Sequence, residues 1–134
     1  MKRALIDTDI LSLFFREQPQ VVSNFREYLR EYGRINFSII TYYEVVSGLK
    51  YRDAKKQINN FLKFAEYCNI LPLTTQSVTI AGDIYAKLRA QGDLIDDIDI
   101  LIAGIALDNG LVLVTGNEKH FQRIKSLEVE NWSS

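Results

Sequence analysis

The chain is poor in the residues that most often announce a function. It has one cysteine, one histidine, one tryptophan and two prolines among 134 residues. The single cysteine, Cys68, excludes an intramolecular disulfide and suits a reducing compartment as a small buried hydrophobe. One His and one Cys cannot assemble the nitrogen and sulfur ligands of an ordinary zinc site. Neither charge sign dominates: 16 Lys and Arg stand against 17 Asp and Glu, a net charge of −1. That balance does not advertise a nucleic-acid binder, although local patches, not the total, decide such binding. No apolar run approaches the ~20 residues of a membrane helix. The basic start, Lys2-Arg3, is followed by Asp7 and Asp9 where a signal peptide would stay apolar. The expectation is a cytoplasmic protein with no membrane association. Both prolines, Pro19 and Pro72, fall at element boundaries, and there is no repeat or linker, so one domain over residues 1–134 is expected.

What is present is an alternation of strand and helix patterns. Short apolar runs at residues 3–7, 34–40, 68–74, 111–116 and 127–132 read as strands. Between them lie segments with helical spacing, such as Val22, Phe25, Tyr28, Leu29 and Tyr32, closed by Gly33. Further helices are expected over residues 41–51, 54–67, 75–91 and 97–109, with a short helical turn around 117–121. Such alternation predicts an α/β fold in three layers: a central, mostly parallel sheet of 4–5 strands with helices on both faces.

In open parallel sheets, functional side chains gather beyond the carboxyl ends of the strands. Asp7 ends the first strand, in "ALIDTD". Asn117 follows "LVLVT", Glu44 lies early in the helix after the second strand, and Asp96, Asp97 and Asp99 open the helix before the fourth. A buried carboxylate without a partner costs several kcal/mol, so Asp7 calls for a partner, either a Lys or Arg or a bound cation. Asp9 and Thr8 have a simpler reading as helix caps, as do Asp93 and Asp96. Asp99 runs directly into "ILIAGIA" and lies deeper than a cap needs to. Clustered carboxylates with open water positions suit Mg²⁺ or Mn²⁺. Lys50, Tyr51, Arg52, Lys55 and Lys56 form a basic, partly aromatic run that could guide an RNA backbone or simply be a solvated helix face. His120, the only histidine, reads as a surface or packing residue, and Phe121 and Trp132 as core.

The run "LIDTDILS", "TYYEVVSGL", "DIDILIAGIAL", "LVLVTGNEKHF", in that order, resembles the PIN-domain ribonucleases, and most closely the VapC-like toxins of type II toxin–antitoxin systems. The resemblance spans nearly the whole chain. It implies that Asp7, Glu44 and Asp99 are metal ligands and that Asn117 stands at the last catalytic position, where such proteins carry Asp or Asn. It further implies that Asp97 is an auxiliary acid and Thr115 a supporting hydroxyl. An amide at Asn117 adds no charge and weakens the case for a second metal. The activity implied is endonucleolytic cleavage of RNA with Mg²⁺ or Mn²⁺. The partners implied are a VapB-like antitoxin whose peptide occludes the acidic pocket, and a second copy of the chain in a homodimer. Two alternatives differ in class. In one, Asp7-Thr8-Asp9 is the D-x-D motif of a haloacid-dehalogenase-like phosphatase with Asp7 as nucleophile, although Leu11 stands where that motif has Thr or Val. In the other, the fold is a catalytically silent binding module.

Overall fold

The computed structural model describes all residues from 1 to 134. Strands and helices follow one another as β1 (Ala4–Ile6), α1 (Thr8–Phe15), α2 (Pro19–Tyr32), β2 (Asn36–Ser38), α3 (Ile39–Tyr51) and α4 (Lys55–Glu66). After these come β3 (Asn69–Leu71), α5 (Thr75–Gln91), α6 (Asp97–Asp108), β4 (Val112–Val114), α7 (Glu118–Phe121) and β5 (Val129–Glu130). Every strand pairing is parallel: β1 with β4, β4 with β5, and β2 with β3. The expected α/β architecture with a parallel sheet is what the chain forms. No helix is long and apolar enough to cross a membrane.

The five strands make two hydrogen-bonded ladders, of three and two strands. β1 and β2 lie side by side, but side chains bridge the seam in place of a backbone ladder. Asn36 Nδ2 donates to the Ala4 carbonyl at 3.0 Å, and the Ala4 N–H donates to the Tyr28 hydroxyl at 3.0 Å. Asn69 Nδ2 in turn donates to Asn36 Oδ1 at 2.9 Å. The buried edge of β1 is therefore satisfied by polar side chains, as buried backbone groups require.

Strand alternation sorts the core into two halves. Leu5 and Leu113 pack with Ile84, Leu88, Ile102, Ile105 and Phe121, on the face covered by α5, α6 and α7. Ala4, Ile6 and Val114 pack with Ile10, Leu11, Phe25, Tyr28 and Phe61, on the face covered by α1 to α4. Three layers follow directly from this division. Gly33 and Gly92 end α2 and α5 with φ of 82° and 71°, the left-handed conformation that suits glycine.

Several strands are shorter than the apolar runs suggested. The run over residues 34–40 yields only Asn36–Ser38, because Ser38 Oγ accepts from the Thr41 N–H at 3.0 Å and starts α3 there. Ile39 and Ile40 are helical in spite of their β-branched side chains. In α2 the inward residues are Val21, Phe25 and Tyr28, whereas Leu29 is 39% exposed.

The two longest-contacting helices, α5 and α6, meet at Gly104. A Cβ added there would lie 2.5 Å from the Ser77 carbonyl oxygen and 3.1 Å from Ala81 Cβ. Backbone cannot yield as a side chain tip can, so Gly104→Ala is expected to destabilise the protein by about 1–3 kcal/mol. Thermal denaturation checks this; an unchanged melting temperature would mean that the helices separate there without loss.

Candidate active site

Asp7 is where the sheet and the site join. Its backbone N–H donates to the Val114 carbonyl at 2.8 Å, which extends the β1–β4 ladder by one residue. Its side chain is 7% exposed. Oδ1 accepts from the Thr8 N–H at 2.8 Å and Oδ2 from the Thr115 hydroxyl at 2.8 Å. Asp7 is itself the N-cap of α1, a role the sequence assigned to Thr8 or Asp9. Thr115, fully buried, also accepts from the Asn117 N–H at 3.0 Å. One hydroxyl thus links the ends of β1 and β4.

Asp9 belongs to the cluster as well, beyond the capping part expected of it. Its Oδ2 accepts from the Gly116 N–H at 2.9 Å, and its Oδ1 accepts from the Ile10 N–H at 2.8 Å. A Cβ on residue 116 would meet Asp9 Oδ2 at 2.7 Å, so a larger residue there would require the Asp9 carboxylate to shift. Nothing in the local sequence pattern marks this contact between residues 107 positions apart. Its only sequence signal is the glycine beside Asn117.

Glu44 sits in the second turn of α3. Its Oε1 accepts from the Thr8 hydroxyl at 2.6 Å, and that hydroxyl lies 3.0 Å from Thr41 Oγ1. Ser38 Oγ, 3.4 Å from Thr41 Oγ1, completes a chain of hydroxyls running from the end of β2 to the carboxylate. These three hydroxyl residues were not among the candidates drawn from the sequence. Serine and threonine at helix starts read as caps, and Ser38 is one.

Asp99 lies in the first turn of α6 and faces this group. Its Oδ2 is 3.9 Å from His120 Nδ1, and His120 Nδ1 is 2.8 Å from Asn117 Nδ2. Asn117 occupies the N-cap position of α7 without a side-chain capping bond. Its amide is turned to His120 instead, so the histidine joins the rim of the site. Asp96 caps α6, accepting from the Ile98 N–H at 3.4 Å. Asp97 is exposed at the first position of α6 and makes no hydrogen bond to the cluster. The structure therefore brings Asp7, Asp9, Glu44, Asp99, Thr115 and Asn117 to one end of the sheet and leaves Asp97 at the margin.

The electrostatics are one-sided. The ion pairs of the chain are the N-terminal amine of Met1 with Glu31 and Lys2 with Glu128, so no Lys or Arg neutralises the cluster. Burial pushes the Asp7 carboxyl from 3.8 up to about 7, with the Asp9 charge adding to the effect and the bonds from Thr115 and Thr8 opposing it. Desolvation also raises Asp9, against the bonds from Gly116 and Ile10. Asp99 is raised by desolvation and then by Asp96, while His120 acts the other way. No three Asp, Glu, His or Cys side chains close on a common point. Cys68 takes no part: burial pushes its thiol to about 12 and keeps it protonated.

The raised Asp7 carboxyl has a consequence for stability. The folded chain holds this proton more tightly than the unfolded chain. Its contribution is full below pH 3.8 and is lost as pH rises toward about 7. In EDTA, Asp7→Asn is therefore expected to be more stable than the wild type above neutral pH, by on the order of 2–4 kcal/mol. Near pH 4 the gap should close. Urea denaturation at both pH values is the check, and a gap independent of pH would sink the account.

The chain as a whole has known relatives. The PIN domain model matches residues 4–127. Among characterised proteins, the chain is 31% identical to Ribonuclease VapC2 of Haemophilus influenzae, covering 98% of this chain and 99% of that one. It is 28% identical to the tRNA(fMet)-specific endonuclease VapC of Shigella flexneri, over 99% of this chain and all (100%) of the relative. Among solved structures it superposes on DNA-bound VapBC from Salmonella typhimurium with a TM-score of 0.85 at 28% identity, covering 98% of this chain and 99% of that one. VapBC-1 from nontypeable Haemophilus influenzae gives 0.82 at 29% identity, with 98% of each chain covered. Matched by the PIN domain model over most of its length and by relatives end to end, the chain belongs to the PIN-domain family, on its VapC branch.

Proposed function

We propose that the chain, as one nuclease domain over residues 1–134, is an Mg²⁺- or Mn²⁺-dependent endoribonuclease acting as the toxin of a toxin–antitoxin pair. The observation that carries this reading is the acidic cluster at the strand ends, partly buried and matched by no Lys or Arg. Such a cluster is costly unless a cation joins it. Family membership gives the reaction class, and the names of the relatives give RNA as the substrate. The specificity named for the Shigella protein makes transfer RNA the first substrate to test. The antitoxin follows from the VapBC and toxin–antitoxin complexes among the structural neighbours. A homodimer and a cytoplasmic setting complete the reading. Both haloacid-dehalogenase chemistry and a silent binding module account less well for the site. The first lacks a lysine in the cluster, and the second leaves the intact set of carboxylates without a purpose.

Asp7, Glu44 and Asp99 would hold the cation, with the Asn117 amide at the edge. A divalent ion there supplies positive charge against the phosphodiester and makes water easier to deprotonate. The remaining work falls to the chain. Thr115 and the Thr8 N–H fix both oxygens of Asp7, and the Thr8 hydroxyl fixes Glu44, so the ligands are oriented before substrate arrives. Asp9 ties down Gly116 and with it the turn that carries Asn117. In-line attack by water on phosphorus then leaves a 5′-phosphate and a 3′-hydroxyl. Burial favours a proton on Asp7 while no cation is bound, and binding a cation there would displace that proton.

The test uses purified chain free of partner, bulk transfer RNA and total cellular RNA, with Mg²⁺, with Mn²⁺ or with EDTA. Discrete fragments are expected that EDTA abolishes and that Asp7→Asn and Asp99→Asn each reduce by about 10²-fold or more. Identical fragments from wild type and both variants would trace the cleavage to a contaminant and overturn the reading.

A further inference from the structure

Beside the carboxylates lies a cavity of about 450 Å³ that the chemistry above leaves unused. Thr8 and Glu44 line it as well as the acidic site, so whatever fills the cavity touches the hydroxyl–carboxylate pair that orients a ligand. Its apolar part includes Phe61, buried beneath, and Phe15, a residue 42% exposed whose ring meets that of Phe61 edge-on with centroids 6.0 Å apart. Its polar part is basic. Arg16 and Arg52 both line it, both are exposed, and neither forms an ion pair. Each sits at the C-cap of its helix, α1 and α3. The helix dipole accounts for a cation at each end separately. It does not account for both lining one cavity next to an acidic site. The amides of Gln57 and Asn60 on α4 complete the wall.

Gly48 is an independent sign. It lies inside α3, where glycine is the least stable choice short of proline. Its backbone is not left-handed, and an added Cβ would meet nothing within 4 Å. Neither a turn nor packing in this chain requires glycine there. It lines the cavity, and the missing side chain keeps that wall flat.

We infer that this cavity is a nucleobase subsite for the RNA strand. An unstacked base enters along the flat wall and the exposed Phe15 ring, the Gln57 and Asn60 amides meet its edge, and Arg16 and Arg52 hold the flanking phosphates. Unpaired bases are recognised by this combination of aromatic face, amide and guanidinium. The basic run that begins at Lys50 gains a role through Arg52, and the acidic cluster receives the neighbouring phosphodiester. This inference rests on the ribonuclease reading and adds to it where the strand lies and what reads its sequence.

The experiment compares full-length wild type with Arg16→Ala/Arg52→Ala, Asn60→Ala and Gly48→Ala on whichever cellular RNA the wild type cuts. The arginine variant is expected to raise KM about tenfold or more with kcat within about twofold, because exposed phosphate contacts hold ground and transition states alike. Asn60→Ala should change the base found beside the cut. Gly48→Ala should raise the melting temperature by roughly 3 °C while lowering kcat/KM about tenfold, a split that a purely structural residue would not show. If wild type cuts and all three variants match it in KM and cut site, the inference falls and the nuclease reading stands. Variants that cut as wild type does but escape inhibition by a co-expressed antitoxin assign the cavity to a protein partner, which also overturns it. No cleavage by wild type removes the nuclease reading first and this one with it.

Discussion

The rest of the structure depends on how Asp7 is held. Its backbone belongs to the sheet and its side chain to the site, and both attachments run to the end of β4. The register Ile6↔Val114 makes this possible, because it sets Asp7 level with Thr115. A slip of one residue would turn the apolar side chains of β1 to the wrong faces as well as remove the Thr115 bond. Folding and site assembly are therefore secured by the same parallel pairing. The cost is a carboxyl desolvated enough to move from 3.8 to about 7, which binds a proton in the absence of a better counter-charge.

Support for the other carboxylates comes from neutral groups. Hydroxyls of Ser38, Thr41 and Thr8 lead to Glu44, and backbone N–H groups lead to Asp9. Every buried side-chain nitrogen and oxygen has a hydrogen-bond partner. Oriented dipoles hold the acids without neutralising them, so the negative potential remains available to a cation. The near-zero net charge of the chain conceals this separation: an acidic rim at the strand ends and unpaired arginines at the cavity beside it. The two fields lie side by side because Thr8 and Glu44 belong to both the acidic rim and the cavity wall.

Element order was plain in the sequence because hydrophobic periodicity and glycine stops are local signals. Gly33 and Gly92 mark helix ends where a left-handed residue is required, and "LVLV" marks a strand buried on both faces. Strand length was less legible. Ser38 ends β2 by capping α3, and one hydroxyl overrides the β-branched preference of the two isoleucines that follow. The break between β1 and β2 was not legible at all, since Tyr28, Asn36 and Asn69 read as ordinary helix and strand residues.

By itself, the sequence determined the α/β class, the order of elements, and the acidic residues that stand at strand and helix starts. Those follow from spacing along one segment at a time. Only the tertiary structure decided that Asp7 caps α1, that Asp9 clamps Gly116, that Thr8 carries Glu44, and that Arg16 and Arg52 share a cavity. Each of these joins residues far apart in the chain, and such contacts exist only once the parallel register has brought the strand ends together.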